Sequence, residues 1–202
     1  MKFTENIDSN GEIEEAGISE ECKELPDSAY KKGLKCEMKG DTDEAWFWYG
    51  ESHYCPSYIR AARMMERRGI YRLAWKSISR AACLGDGEGL YYAGKYYQMG
   101  RHVSQDFKMA VSYYRKSAEK GYTDAYFALA KCYKNGEGIA IDEKEAARLF
   151  KIGIENILEV FFTGNQPVGI SDCGDAKFYL EIIKIIMSIL VLKLKKQERI
   201  FK

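Results

Sequence analysis

A unit that occurs twice between residues 86 and 157, at a spacing of 36 residues, constrains this chain more than any other feature. Seven positions carry the same or similar residues in both copies: Gly94 and Ala130, Tyr97 and Tyr133, Gly100 and Gly136, Val103 and Ile139, Asp106 and Asp142, Ala110 and Ala146, Tyr114 and Phe150. A tandem repeat of this length predicts a solenoid, in which each unit packs mainly on its neighbours. It predicts the architecture and leaves the chemistry open.

Residues 27–85 contain two looser copies, each with apolar residues at the three- and four-residue spacing of paired helices. The connection between the two helices is shorter here. In the first unit five residues separate Gly40 from Ala45, whereas ten separate Gly100 from Ala110 in the third. We therefore predict tight turns in the first two units and extended loops in the last two.

The extended loop of the fourth unit contains Gly136 and Gly138, which can adopt positive φ, and Asp142, which can cap the following helix. His102 occupies the position that corresponds to Gly138. We therefore expect the loop of the third unit to be a degenerate copy that is distorted at His102.

Small and aromatic residues recur in the fourth unit at Ala125, Phe127, Leu129, Ala130, Tyr133, Gly136, Gly138, Ile139, Asp142, Ala146 and Phe150. This pattern resembles the Sel-one-like (SLR) repeat, a relative of the tetratricopeptide repeat, and residues 89–121 match it nearly as well. The resemblance implies an all-α fold, a right-handed α-solenoid of helix-turn-helix repeats followed by a C-terminal helix.

The predicted domains are an acidic, disordered tail (1–26), a repeat solenoid (27–157, with units 27–56, 57–85, 86–121 and 122–157), an inserted loop (158–174) and a C-terminal capping or docking helix (175–202). The tail assignment follows from nine acidic and two basic residues among the first 27 positions. Such a segment has too few large apolar residues to offset the entropy of ordering.

The C-terminal helix is almost entirely apolar from Phe178 to Leu194. We expect no membrane insertion, because this segment is shorter than the roughly 20 residues of a typical span and contains Glu181 and Lys184. An apolar helix at the end of a solenoid needs a cover, so the pattern predicts self-association or partner docking through residues 178–194.

Catalytic chemistry has little support in the sequence. The six cysteines are never closer than 14 positions, and the two histidines are His53 and His102. We interpret the thiols as reduced, with a disulfide framework as the alternative, and we expect no metal, no cofactor and no catalytic residue. His53 and Cys55 lie two positions apart, which on a helix directs them to different faces.

The predicted function is a non-enzymatic scaffold or adaptor that binds a protein or peptide on the concave face of the solenoid. Tyrosine and lysine residues on the first helix of the last two pairs form the predicted partner-binding site: Tyr92, Lys95, Tyr96, Tyr126, Lys131 and Lys134. Packing between repeats is the alternative role for each of them.

Two other functions stay open. Cysteine-rich relatives of this repeat are reported as β-lactam hydrolases, although they place paired cysteines in each repeat, which this chain lacks. An RNA-binding module is the other, although basic residues here are dispersed among acidic ones, so we expect no nucleic-acid binding and no small-molecule substrate. The absence of an apolar N-terminal segment favours a cytoplasmic location, with a nuclear or partner-mediated membrane location as alternatives.

Overall fold

A computed structural model describes residues 26–163, with side chains through residue 159. Within this range the secondary structure is helical, which confirms the predicted all-α class. The helices are α1 (Ser28–Lys39), α2 (Thr42–Glu51), α3 (Cys55–Arg67), α4 (Tyr71–Cys83), α5 (Gly87–Met99), α6 (Phe107–Glu119), α7 (Thr123–Asn135) and α8 (Glu143–Thr163).

Consecutive helices form four hairpins, α1–α2, α3–α4, α5–α6 and α7–α8, and each hairpin packs on the next one along the chain. Contacts also join α3 to α5, so the first helices of neighbouring hairpins lie side by side. We call the surface made by α3, α5 and α7 the odd-helix face. This sequential packing is the arrangement of a helical-repeat solenoid.

A glycine on the first helix of a hairpin receives a tyrosine ring from the second helix. A Cβ atom at Gly33 would lie 2.6 Å from Cδ1 of Tyr49, and one at Gly94 would lie 2.8 Å from Cδ1 of Tyr114. Both rings are buried. These close approaches require glycine, and they explain why glycine and tyrosine occur together in the first and third hairpins.

Each of these buried tyrosines also donates a hydrogen bond to the first helix of its own hairpin. The Tyr49 hydroxyl donates to Oε2 of Glu37 at 2.5 Å, and the Tyr114 hydroxyl donates to Oε1 of Gln98 at 2.7 Å. In the last hairpin Phe150 replaces the tyrosine, so the hydroxyl is absent there.

The two extended loops end in the same way. Asp106 and Asp142 accept hydrogen bonds from backbone N–H groups in the first turn of α6 and α8, at 2.8–3.0 Å and 3.0 Å. Their own N–H groups donate to the carbonyl oxygens of Tyr97 (3.0 Å) and Tyr133 (3.1 Å). The capping role predicted for Asp142 is confirmed.

The predicted distortion at His102 is wrong. Gly100 and Gly136 end α5 and α7 with φ of 64° and 73°. Further along each loop, His102 has φ of 64° and Gly138 has φ of 71°. The loop with histidine therefore keeps the left-handed conformation of the loop with glycine, and the histidine carries the conformational strain itself.

One boundary differs from the sequence-based interpretation. Helix α8 continues to Thr163, six residues into the stretch assigned to an inserted loop at 158–174. The tail at 1–25, the rest of that loop and the helix at 175–202 lie outside the described residues. No helix within residues 26–163 is long and apolar enough to cross a membrane.

The interpretation that all the thiols are reduced needs correction. Cys55, the first residue of α3, is disulfide-bonded. Cys36, Cys83 and Cys132 are thiols that take part in no disulfide. Burial raises the pKa of the Cys132 thiol to about 11, which keeps that group protonated and unreactive at neutral pH.

Candidate functional site

The structure divides the six predicted site residues into two groups. Tyr92 and Tyr96 on α5 are buried, with exposed fractions of 3% and 1%. Tyr126 on α7 is half-buried, and the lysines range from half-buried to exposed. The tyrosines thus take part in packing between helices, which is the alternative that the sequence left open. The assignment of all six to partner binding stays a prediction.

Tyr96 packs between hairpins. Its ring stacks on Trp75 of α4, with centroids 5.5 Å apart and an interplanar angle of 25°. Burial raises the pKa of its hydroxyl above the ordinary value, and the Glu66 carboxylate raises it further. This side chain therefore fixes α5 against the preceding hairpin.

Tyr126 also has a structural role. Its hydroxyl donates to the carbonyl oxygen of Ala118 at 2.8 Å. Ala118 lies in the last turn of α6, so this hydrogen bond ties α7 to the end of the preceding hairpin.

The lysines lie in register with an arginine that the sequence reasoning missed. Arg63, Lys95 and Lys131 are each the ninth residue of their helix, in α3, α5 and α7. Lys131 is exposed and Lys95 is half-buried. Lys134 lies about one turn further along α7 and is exposed. The odd-helix face therefore presents a row of three cations, one from each helix.

Arg63 joins two helices of this face. Its Nη2 atom donates to Oε1 of Glu88 at 3.0 Å and to the Tyr92 hydroxyl at 3.1 Å. Its guanidinium also lies 5.7 Å from the centroid of the Tyr92 ring, and Lys95 Nζ lies at the same distance from that centroid. Tyr92 thus positions two cations of the row, which gives this tyrosine a defined place in the site.

Glu88 has an unusual protonation equilibrium. Burial above all, with the charges of Asp86 and Asp124, raises the pKa of its carboxyl against the lowering effect of Arg63, and the result is a pKa of about 7. Burial also raises the pKa of Asp86, against the lowering effect of the hydrogen bond that it accepts from Gly89 N–H. Glu88 therefore pairs with Arg63 while Asp86 and Asp124 act on it electrostatically.

Tyr122 lies at the edge of this group. It occupies the N-cap position of α7, in register with Asp86 at the N-cap of α5, but makes no capping hydrogen bond. It is 1% exposed, and its hydroxyl has no hydrogen-bond partner. Burial raises the pKa of the hydroxyl, and the charges of Glu88 and Asp124 raise it further.

With this geometry established, the chain can be compared with known proteins. The family model described as Sel1 repeat matches residues 28–52, 87–122 and 123–156. These three segments match the Sel1 repeat. The three matches fall on the hairpins α1–α2, α5–α6 and α7–α8, so the row at Lys95 and Lys131 lies within matched Sel1 repeats.

Curated relatives with Sel1 repeats are much longer than the matched region. Protein sel-1 homolog 2 of mouse is 35% identical over 97 residues, which is 48% of this chain and 14% of that protein. The human protein of the same name is 37% identical over 97 residues, with the same coverage. The chain thus matches about a seventh of the length of these relatives.

Two solved structures share the fold. The crystal structure of a Sel1 repeat protein from Oxalobacter formigenes has a TM-score of 0.55 and 21% identity, covering 63% of this chain and 56% of that one. Protein c5321, a protective antigen of uropathogenic Escherichia coli strains with an SLR fold, has a TM-score of 0.56 and 22% identity, covering 75% and 36%. These similarities support the Sel1-repeat solenoid fold.

The Sel1 repeat register explains which site residues the sequence revealed. Lys95 and Lys131 occupy the same place in adjacent repeats, so alignment of the two copies finds them together. Arg63 and Glu88 pair across hairpins, 25 positions apart, which the 36-residue spacing does not reveal. Within residues 26–163, no group of three or more His, Cys, Asp and Glu side chains is arranged to hold a metal ion.

Proposed function

We propose that this Sel1-repeat chain is a non-enzymatic scaffold or adaptor that binds a protein or peptide partner on the odd-helix face, the concave side of the solenoid. One observation carries the proposal: Arg63, Lys95 and Lys131 form a row in register across three helices. Solenoids of repeats use such extended surfaces for binding.

The family supports a binding role in general terms. Sel1 repeats are generally protein-interaction modules, and their solenoids are typically scaffolds without catalytic activity. The tyrosines of the site make the surface rigid, because Tyr92, Tyr96 and Tyr126 fix α5 and α7 against their neighbours. A rigid surface loses less conformational entropy when a partner binds.

In the proposed complex, Lys95, Lys131 and Lys134 contact the partner directly, whereas Tyr92, Tyr96 and Tyr126 hold the helices that carry these lysines. Substituting the three tyrosines together would disturb helix packing as well as binding. The lysines give the cleaner test, since exposed lysines contribute little to folding stability.

The experiment identifies a partner and then measures affinity with purified components. Full-length chain is used to capture partners by crosslinking in the native source, and one captured protein is purified. Its dissociation constant is measured for the wild type, for K95A/K131A/K134A and for a control with the same charge change, K108A/K116A/K144A. The control lysines are exposed and lie on α6 and α8, the second helices of their hairpins.

We expect the odd-helix variant to lose at least about tenfold in affinity and the control to stay within about twofold, because direct charged hydrogen bonds contribute roughly 1.5 kcal/mol or more each. Equal loss in both variants would show a general charge effect. An unchanged affinity of the odd-helix variant would reject this face as the site.

A further inference from the structure

Four lysines lie on one side of α1. Lys31, Lys35 and Lys39 follow one another at four-residue spacing, and Lys32 lies beside the first of them. At 3.6 residues per turn, the four side chains fall within about 100° of the helix circumference. All four are exposed, and we call this surface the lysine face. Like charges at four-residue spacing destabilise a helix, so the lysine face favours an anionic neighbour.

The described part of the chain does not supply that anion. Glu37 is the acidic residue of α1, and its carboxylate accepts from the Tyr49 hydroxyl at 2.5 Å and from Nη1 of Arg60 at 3.1 Å. None of the four lysines forms an ion pair with a carboxylate of residues 26–159. Lys32 lies instead over the Trp48 ring, with Nζ 4.1 Å from the centroid.

The lysine face occupies the side of α1 that a preceding hairpin covers elsewhere in the solenoid. Gly33 and Gly94 have the same place in their hairpins, because each receives a tyrosine ring from the second helix. Counted from these glycines, the corresponding residues are Lys31 and Tyr92, Lys32 and Ala93, and Lys35 and Tyr96. The three α5 residues are buried, and Tyr96 stacks on Trp75 of the preceding hairpin. At these positions α5 is therefore covered by the segment that precedes it in the chain.

Apolar side chains border the lysine face on both sides. Leu34 and Met38, also four residues apart, lie along one edge, and Met38 is 88% exposed. Trp48 lies at the other edge, next to Phe47, which is 52% exposed. A segment that combines acidic and apolar residues would complement this surface.

We propose that the acidic segment before α1, residues 1–25, binds the lysine face. This segment contains eight acidic and two basic residues, and Ile13 lies between Glu12 and Glu14. Its charge complements the four lysines, and its isoleucines complement the apolar borders. It also stands directly before α1, in the place that the α3–α4 hairpin has before α5. The inference does not rest on the proposed function, because the lysine face lies outside the odd-helix face.

The segment can reach the whole lysine face. Asp27 holds the start of α1, since its carboxylate accepts from Tyr30 N–H at 2.8 Å, from the Ser52 hydroxyl at 2.9 Å and from His53 N–H at 2.8 Å. The face extends about 12 Å along α1, whereas 25 extended residues span roughly 80 Å. A tethered segment meets its site at an effective concentration on the order of millimolar.

The first test neutralises the lysine face in the full chain and follows the NMR amide signals of residues 10–24. The variant is K31Q/K32Q/K35Q/K39Q. The control removes the same charge from exposed lysines elsewhere and is K108Q/K120Q/K144Q/K151Q. At low salt, where surface charges are least screened, we expect the first variant to shift these signals and the control to leave them unchanged. Unchanged signals of α5 and α6 verify that both variants are folded.

The reciprocal test neutralises the segment and follows α1 by amide hydrogen exchange. The variant is E12Q/E14Q/E15Q/E20Q/E21Q/E24Q. A bound segment opposes local opening of the helix beneath it, so we expect exchange in α1 to be at least about threefold faster in this variant than in the wild type. Exchange in α5 should not change. Salt at about 0.5 M should bring the wild type close to the variant, since it screens surface charges.

Three results would overturn the inference. Equal shifts of residues 10–24 in both lysine variants would show a general charge effect. Unchanged exchange of α1 in the reciprocal variant would show that the segment does not cover it. Signals that depend on protein concentration would assign the lysine face to the segment of a second copy. The affinity of K95A/K131A/K134A for a partner tests the proposed function separately from all three.

Discussion

The α5–α6 and α7–α8 hairpins have nearly the same backbone but differ in the side chains that meet their neighbours. Both first helices end at a left-handed glycine, and both second helices begin at an aspartate cap. At equivalent positions, however, the third unit has Asp86, His102 and Tyr114 where the fourth unit has Tyr122, Gly138 and Phe150. The shared glycine and aspartate positions therefore specify the backbone of the hairpin. The positions that differ between the two units depend on what each hairpin contacts.

The two loops show this most clearly. Gly138 and His102 share the same backbone conformation, but a Cβ atom at Gly138 would lie 2.3 Å from the backbone carbonyl group of Phe107. His102 is exposed. The third-unit loop thus has space for a side chain where the fourth-unit loop lies directly on α6 of the preceding hairpin.

Gly138→Ala should produce the largest loss of stability. The new methyl group would clash with the backbone at Phe107 and would also place an L-residue at positive φ. Together these effects are expected to lower the free energy of unfolding by about 3 kcal/mol, measured by urea denaturation. His102→Ala is the control, since it keeps the positive φ without the clash and should change stability by less than about 1 kcal/mol. Equal effects would show that the close approach at Phe107 is not maintained.

The helix N-termini differ electrostatically. Asp86 caps α5 by accepting from Gly89 N–H at 2.8 Å, whereas Tyr122 makes no capping hydrogen bond at α7. In the first turn of α5, burial is the main cause that raises the pKa of Glu88 from its ordinary value of 4.5 to about 7; Asp86 and Asp124 add to the shift and Arg63 opposes it.

The second prediction concerns the pH dependence that this shift produces. Between pH 4.5 and 7 the folded state retains the Glu88 proton that the unfolded state has released, so the contribution of Glu88 to stability falls as pH rises through this window. Relative to Glu88→Gln, which does not titrate, the wild type should lose on the order of 3 kcal/mol across it. Chemical denaturation of both proteins at pH 4.5, 6 and 8 measures the difference. Parallel stability curves would contradict the raised pKa.

The sequence predicted the parts of this architecture that repeat and missed those that join different repeats. The 36-residue spacing revealed the hairpins, the aspartate cap at Asp142 and the lysine positions, because each of these features depends on residues within a single repeat unit. It did not reveal Arg63 and Glu88, whose contact depends on how two hairpins pack.

The sequence left the burial of the tyrosines undecided for the same reason. Tyr92 and Tyr96 fall outside the repeat pattern, so partner binding and packing between repeats were both open for them. Trp75 of the preceding hairpin covers Tyr96, and Arg63 from α3 contacts Tyr92. Neither Trp75 nor Arg63 belongs to the two copies from which the repeat was recognised.

The third prediction tests the aromatic position of the hairpins. Tyr114→Phe reproduces in the third unit the residue that Phe150 provides in the fourth. It removes the 2.7 Å hydrogen bond to Oε1 of Gln98, while Nε2 of Gln98 keeps its bond to Glu137. The expected loss in the free energy of unfolding is about 1 kcal/mol. No loss in urea denaturation would mean that solvent replaces the hydroxyl at Gln98.

The smallest expected effect comes from giving the third-unit loop the residue of the fourth. His102→Gly removes an L-residue from φ of 64°, which relieves backbone strain of roughly 1–2 kcal/mol in the folded state. Glycine also makes the unfolded chain more flexible, which lowers the free energy of unfolding by about 0.5–1 kcal/mol. The net expectation is a gain of about 0.5 kcal/mol, detectable as a small rise in Tm. Ser104→Gly is the control in the same loop, because Ser104 does not have positive φ and its substitution should lower Tm. A lower Tm for both variants would show that the His102 side chain stabilises the loop by more than its backbone strain.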